Sequence, residues 1–226
     1  MKHLIVGRTS ALGADLTDVL RERGDTVIGA VRRPVDTSDV RCDVRSDADV
    51  ARSVEEATSL VGDIDSLIYL PGTAPDGRTE KVSDDQFSDA LDVNTTGAFR
   101  FAKSVLASDT PCCVTFVGTT NALRGSAGQA AYASSKAALL GLTRSLAAEF
   151  GPRGKRVNLV APGYFSAGLT DALPTSLKER LERRIPIRRF AETREVSNVV
   201  AFAASEQSSY MNGSIIYVDG GLGMGH

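Results

Sequence analysis

Short apolar, β-branched runs alternate with longer stretches of helical periodicity from one end of the chain to the other. This alternation limits the fold more than any other feature of the sequence. Leu4-Ile5-Val6, Val27-Ile28-Gly29-Ala30-Val31, Val40-Arg41-Cys42, Leu67-Ile68-Tyr69-Leu70, Val114-Thr115-Phe116-Val117, Val157-Asn158-Leu159-Val160 and Ser214-Ile215-Ile216-Tyr217-Val218 read as strands. Helical patterns run to about Gly24, over 47–61, from Ser83, through an Ala-rich stretch to Phe150, and near 176–184 and 192–204. Ser83-x-x-Gln86 is a capping-box pattern, and Asp47 and Asp49 suit a helix N-terminus. Strands linked by crossover helices predict a doubly wound, parallel α/β sheet of about seven strands with helices on both faces. Uninterrupted apolar strands fit burial on both sides. Only eight residues, from Arg32 to Asp39, separate Val31 from Val40. A parallel crossover ordinarily takes about ten or more. The second crossover helix is therefore expected to be shortened or missing, with one face near the second and third strands thinly covered.

No linker, charge block or repeat divides the 226 residues, so 1–226 reads as a single domain. Lysine and arginine total 26 against 28 acids, for a net charge of −2, which argues against nucleic acid or an anionic membrane as partner. No apolar run approaches the ~18 residues of a membrane span. Three cysteines without a C-x-x-C and two histidines, His3 and His226, make a metal site unexpected. A reduced, cytoplasmic setting is the simple expectation.

Gly7 and Gly13 bracket a strand-to-helix turn, where glycine admits a diphosphate and free backbone N–H groups receive it. Thr9 and Ser10 add hydroxyl donors. The same glycine pair also serves as ordinary turn punctuation. The second strand ends in Arg32-Arg33 with no acid beside it, which favours a 2′-phosphate over a free 2′-hydroxyl and hence NADP(H) over NAD(H). The alternative is a pair of solvated loop charges, and Asp36 or Asp39 could fold back towards a ribose. Tyr132 and Lys136 stand four apart in the Ala-rich helix, on one face. A neighbouring ammonium stabilises phenolate, making Tyr132 a candidate proton donor or acceptor.

Gly7-x-x-x-Ala11-Leu12-Gly13, Asn94, Thr119, Tyr132-x-x-x-Lys136 and Pro162-Gly163 occur in the order found in short-chain dehydrogenase/reductases. The chain resembles that family over essentially its whole length, most closely the 3-oxoacyl carrier-protein reductase-like branch. The segments Gly128–Leu139 and Arg156–Gly163, and the ending Asn212–Gly221, carry the likeness. The resemblance implies a Rossmann-type fold and hydride transfer between NADP(H) and a small carbonyl or alcohol substrate, with NAD(H) as the other cofactor open to it.

It implies roles for individual residues as well. Tyr132 would be the general acid or base, Lys136 would hold the nicotinamide ribose, Thr119 would stand at the family's catalytic serine, and Asn94 would hold a relay water. Gly7, Thr9, Ser10, Leu12 and Gly13 would form the diphosphate turn, and Arg32 and Arg33 would meet the 2′-phosphate. Asp43 and Val44 would contact adenine, Gly72 the ribose, and Pro162, Gly163 and Phe165 the carboxamide. A substrate lid is expected around 164–190, and a homodimer or homotetramer through the helices at 83–107 and 130–150. The family pattern is broken at Ala11, at Tyr69-Leu70-Pro71-Gly72, where two asparagine anchors are absent, and at Ala167, where a threonine is expected and Ser166 could stand in. An epimerase, dehydratase or isomerase on the same scaffold, or a non-catalytic nucleotide sensor, are the alternative functions.

Overall fold

The computed structural model describes residues 1–75, 77–167, 170 and 173–224. Seven strands form one sheet: β1 (Lys2–Val6), β2 (Thr26–Val31), β3 (Asp39–Arg41), β4 (Ser66–Tyr69), β5 (Cys113–Val117), β6 (Arg156–Pro162) and β7 (Ile215–Val218). All neighbours are parallel, in the order β3-β2-β1-β4-β5-β6-β7. The winding reverses between β1 and β4, so a crevice opens at their carboxyl ends.

Successive side chains of a strand point to opposite faces, and here both faces are covered. Leu4, Val6, Tyr69, Phe116 and Leu159 pack with Val50 and Ala57 of α2 (Asp47–Val61), Phe101 of α4 (Gly97–Leu106) and Leu139 of α6 (Ala130–Phe150). On the other face, Ile5, Ile68, Val117 and Val160 pack with Leu16 and Leu20 of α1 (Ala11–Glu22) and Val196 and Val200 of α8 (Thr193–Ala203). Asn158 and Asn212 lace β6 to the turn before β7. Asn158 donates to the Met211 carbonyl and accepts from Ser214 N–H, and Asn212 accepts from Val157 N–H.

The long helix expected from Ser83 is divided. Its capping box is present, with Ser83 Oγ accepting from Gln86 N–H and Gln86 Oε1 accepting from Ser83 N–H. After α3 (Asp84–Leu91), however, Asp92–Thr96 winds as a π-turn in which Gly97 N–H reaches back to the Asp92 carbonyl. One extra residue per turn re-aims the side chains that follow, and Asn94 sits in that turn, fully buried.

No helix bridges β2 and β3. The thinly covered ground is filled instead by the Arg8 side chain from the turn after β1, packed where Gly29 has no Cβ. The two asparagine anchors absent after β4 have a replacement too. The buried Tyr69 hydroxyl donates to the Val93 carbonyl at 2.5 Å, tying β4 to the π-turn. A Cβ at Gly97 would stand 2.4 Å from that hydroxyl, so the tyrosine fits only because residue 97 is glycine. A one-turn helix, α5 (Asn121–Arg124), has no counterpart in the expected pattern, while α7 (Thr175–Glu182) and α8 fall where periodicity placed helices.

Candidate functional site

The carboxyl ends of β1, β4, β5 and β6 remain laddered beyond the strands proper. Leu70 N–H reaches the Val6 carbonyl, Thr120 N–H the Pro162 carbonyl and Gly163 N–H the Val218 carbonyl. This holds the connecting turns in fixed register around two cavities. The first, of about 240 Å³, is lined by Ser10, Leu12, Gly72, Thr119, Tyr132, Lys136, Pro162, Gly163 and Phe165, all expected site residues. The second, about 850 Å³, lies over β1 and β2 and is lined by Gly7, Thr9, Ser10, Arg32, Arg33, Asp43, Val44 and Gly72. Ser10, Leu70 and Gly72 border both, so the two adjoin at the crevice.

Gly7 takes φ 80°, a left-handed conformation that favours glycine, and its N–H donates to the Ala30 carbonyl. Ser10 caps α1 by accepting from Gly13 N–H at 3.1 Å. Gly13 lines neither cavity. A Cβ there would lie 2.5 Å from the Arg8 carbonyl oxygen, so its role is to let α1 close on the turn. Ala11 lines the first cavity at the start of α1.

Lys136 is buried. Its ammonium donates to the carbonyls of Pro71 at 2.9 Å and Val117 at 2.8 Å, and desolvation alone takes its pKa down to about 7. Gly72 makes room for it, since a Cβ there would stand 3.3 Å from Lys136 Cε. Tyr132, one turn earlier on α6, is half-buried on the same cavity wall. Ser135 braces this part of the helix, donating to the Tyr132 carbonyl and accepting from Asn94 Nδ2. Asn94 also brackets Thr73, accepting from its N–H at 2.8 Å and donating to its carbonyl at 2.9 Å. Asn94 lines neither cavity. Its amide joins the π-turn, the loop after β4 and α6.

Thr119 Oγ1 accepts from Asn121 N–H at 3.3 Å, which leaves its hydroxyl proton for the cavity it borders. Thr120 is turned elsewhere, donating to the Ala161 carbonyl and to Asp219. Ser166 is exposed and off both linings, so it does not replace the expected threonine. Thr170 lines the first cavity, its hydroxyl donating to the Phe165 carbonyl with the Ala167 carbonyl 3.1 Å away. The expected lid at 164–190 includes residues 168, 169, 171 and 172, which lie outside those described. His226 lies outside them too. In the second cavity Asp43 is shared. Arg45 grips both its oxygens, holding the carboxyl below its ordinary range, and also reaches Asp89.

A family model described as enoyl-(acyl carrier protein) reductase matches residues 7–223. The chain belongs to the short-chain dehydrogenase/reductase family. It is thereby an oxidoreductase. The 3-oxoacyl-[acyl-carrier-protein] reductase FabG of Staphylococcus aureus is 31% identical over 209 residues, spanning 90% of this chain and 85% of the relative. The reductase MabA of Mycobacterium tuberculosis is 32% identical over 229 residues, 99% and 93% of the two chains. A short-chain dehydrogenase/reductase from Serratia marcescens superposes with TM-score 0.91 at 26% identity, covering 98% of this chain and 97% of that one. The ligand-free aldohexose dehydrogenase of Thermoplasma acidophilum shares the fold, with TM-score 0.90 at 24% identity over 100% and 95% of the chains.

Several residues of this short-chain dehydrogenase/reductase were invisible to sequence reasoning. Asn121 borders the first cavity and donates to Gln129 Oε1 at 3.0 Å. Leu173 borders the same cavity, and Arg41, Arg45 and Asp89 line the second. No periodicity marks them. Only the adjacency of Asn121 to Thr119-Thr120 and of Arg45 to Asp43-Val44 hinted at them.

Proposed function

We propose that the chain transfers hydride between NADP(H), preferred over NAD(H), and the carbonyl or secondary alcohol of a small organic substrate, with Tyr132 giving or taking the proton. The adjacency of the two cavities across Ser10, Leu70 and Gly72 carries this reading. A dinucleotide needs one compartment for each nucleoside and a glycine turn between them. The cradle fits the group: Gly7 holds its left-handed turn, and Gly72 has no Cβ to crowd Lys136. Gly7, Thr9, Ser10, Leu12 and the N-terminus of α1 would hold the diphosphate, with Gly13 shaping the turn beneath it. Arg32 and Arg33 would hold a 2′-phosphate, Asp43 and Val44 the adenine, and Gly72 and Lys136 the nicotinamide ribose. Pro162, Gly163 and Phe165 would meet the carboxamide. When bound, the nicotinamide supplies or accepts the hydride.

The chain's own residues do the rest. Thr119 donates its hydroxyl proton to the substrate oxygen, where negative charge develops in reduction. Tyr132 passes a proton to that oxygen, or takes one in oxidation. Lys136, its proton affinity lowered by desolvation, presents Nζ from the same wall as the phenol, where it would hold the nicotinamide ribose. Asn94 acts through Thr73 and Ser135, holding the loop after β4 against α6. Tyr164, Phe165 and Leu173, on the segment 164–190, exclude water. Phe87 and Phe99 are 38% and 44% exposed on α3 and α4, and they suit a homodimer or homotetramer through those helices and α6.

The test is NADPH oxidation with a panel of aldehydes and ketones, followed at the nicotinamide absorbance. Tyr132→Phe is expected to lower kcat by about 10²–10⁴-fold while NADPH still binds. Turnover that survives Tyr132→Phe refutes the assignment.

A further inference from the structure

We infer that Arg8, which lines neither cavity, sets the preference for a phosphorylated over an unphosphorylated adenosine ribose by holding Asp36 and Asp39 out of the cleft. This deepens the dinucleotide reading above and rests on it. The second cavity gathers Arg32, Arg33, Arg41 and Arg45. The connection that carries Arg32 and Arg33 also carries Asp36 and leads into Asp39 at the start of β3, and no helix fixes it. A carboxylate in such a cleft accepts from a ribose 2′-hydroxyl and repels a 2′-phosphate. Where these two acids sit therefore decides what the arginines can do.

One guanidinium decides it. Arg8 Nε donates to Asp39 Oδ1 at 2.7 Å and Arg8 Nη2 to Asp36 Oδ2 at 2.9 Å. The Arg8 side chain is 8% exposed and that of Asp39 is fully buried. The remaining oxygens are also occupied. Asp39 Oδ2 accepts from Val35 N–H at 2.9 Å, and Asp36 Oδ1 accepts from Ser38 N–H at 2.8 Å and from the Ser38 hydroxyl. Ser38 and Arg8 hold the Asp36 carboxyl down to about 2, so it stays ionised across the working range. Space is reserved for the arrangement: a Cβ on Gly29 would stand 2.1 Å from Asp39 Oδ1 and 2.6 Å from Arg8 Nε. Without Arg8, Asp36 and Asp39 would lose their shared cationic partner close to Arg32 and Arg33. They would neutralise those arginines or bind a free 2′-hydroxyl themselves.

The experiment measures the dissociation constants of NADPH and NADH for the wild-type chain, Arg8→Gln, Arg8→Lys, and Arg8→Gln combined with Asp36→Asn and Asp39→Asn. It adds 2′,5′-ADP, which carries the phosphate without the nicotinamide. Arg8→Gln is expected to cut the NADPH-to-NADH preference at least tenfold, chiefly by weakening NADPH, with 2′,5′-ADP weakened in parallel. Arg8→Lys, with one charge but no fork to reach both acids, is expected to cut it about threefold. Removing both acids as well is expected to restore most of the preference. Equal weakening of both dinucleotides by Arg8→Gln, or an unmoved ratio, overturns the inference and leaves the dinucleotide reading standing. If Arg8→Gln does not fold, an unmoved ratio in Arg8→Lys overturns it. A wild-type chain that binds NADH as tightly as NADPH overturns the inference together with the NADP(H) preference, and one that binds neither overturns the dinucleotide reading.

Discussion

Replacing Lys136 with methionine should remove a pH dependence of stability that one buried ammonium creates. Desolvation lowers its pKa to about 7 in the folded chain, whereas the ordinary lysine value of 10.5 applies once the chain unfolds. Below pH 7 both states hold the proton and the group contributes no slope. Between 7 and 10.5 the unfolded state binds the proton and the folded state does not, so stability rises with pH. The slope approaches ~1.4 kcal/mol per pH unit. Allowing for half-titration at pH 7, the gain from pH 7 to 8.5 is on the order of 1–2 kcal/mol. The buried thiols of Cys42 and Cys112, pushed up to about 11, and of Cys113, also pushed up, oppose this trend as unfolded thiols begin to ionise. They do so equally in both proteins, so the comparison cancels them. Absolute stabilities are less informative, because methionine also deprives the Pro71 and Val117 carbonyls of their donor. The assay is urea unfolding of wild type and Lys136→Met at pH 7, 7.5, 8 and 8.5. The wild-type midpoint should gain roughly half a molar on the variant across that range. Parallel pH profiles would refute the desolvation argument.

Two further perturbations test other parts of the molecule. Tyr69→Phe leaves the part-buried Val93 carbonyl without the Tyr69 hydroxyl, and thermal unfolding should register a loss of about 1 kcal/mol; an unchanged midpoint would mean the π-turn does not depend on that bond. Phe99→Glu puts a charge on the exposed face of α4, and light scattering after size exclusion should show dissociation to smaller species, whereas an unchanged mass would place the subunit contact elsewhere.

The layers of this protein were legible because they follow from local periodicity. Apolar runs of four or five residues separated by amphipathic stretches leave a parallel sheet with two covered faces as the economical arrangement, and the sheet has the seven strands the runs predict. The eight residues between Val31 and Val40 announced the missing crossover helix by length alone. Gly7 with Gly13, and Tyr132 with Lys136, were legible as pairs because a turn or a helix relates residues a few positions apart.

What spacing could not show was how distant elements use one another. Nothing in the sequence marks Arg8, while Asp36 and Asp39 stand as candidate ribose ligands. The fold brings the arginine to acids 28 and 31 positions away and pairs it with both. The break in the family pattern at Tyr69 looked like a lost anchor, but its hydroxyl reaches Val93, 24 positions on, through space that Gly97 vacates. Lys136 stands one turn from Tyr132 on the helix, yet its proton affinity is set by the exclusion of water around it, in a wall where its Nζ meets the Pro71 and Val117 carbonyls. Periodicity encodes which face of an element turns inward. Hydrogen bonds and desolvation depend on which atoms meet there, and that was decided only when β1, β2, β4 and the π-turn closed around the same crevice.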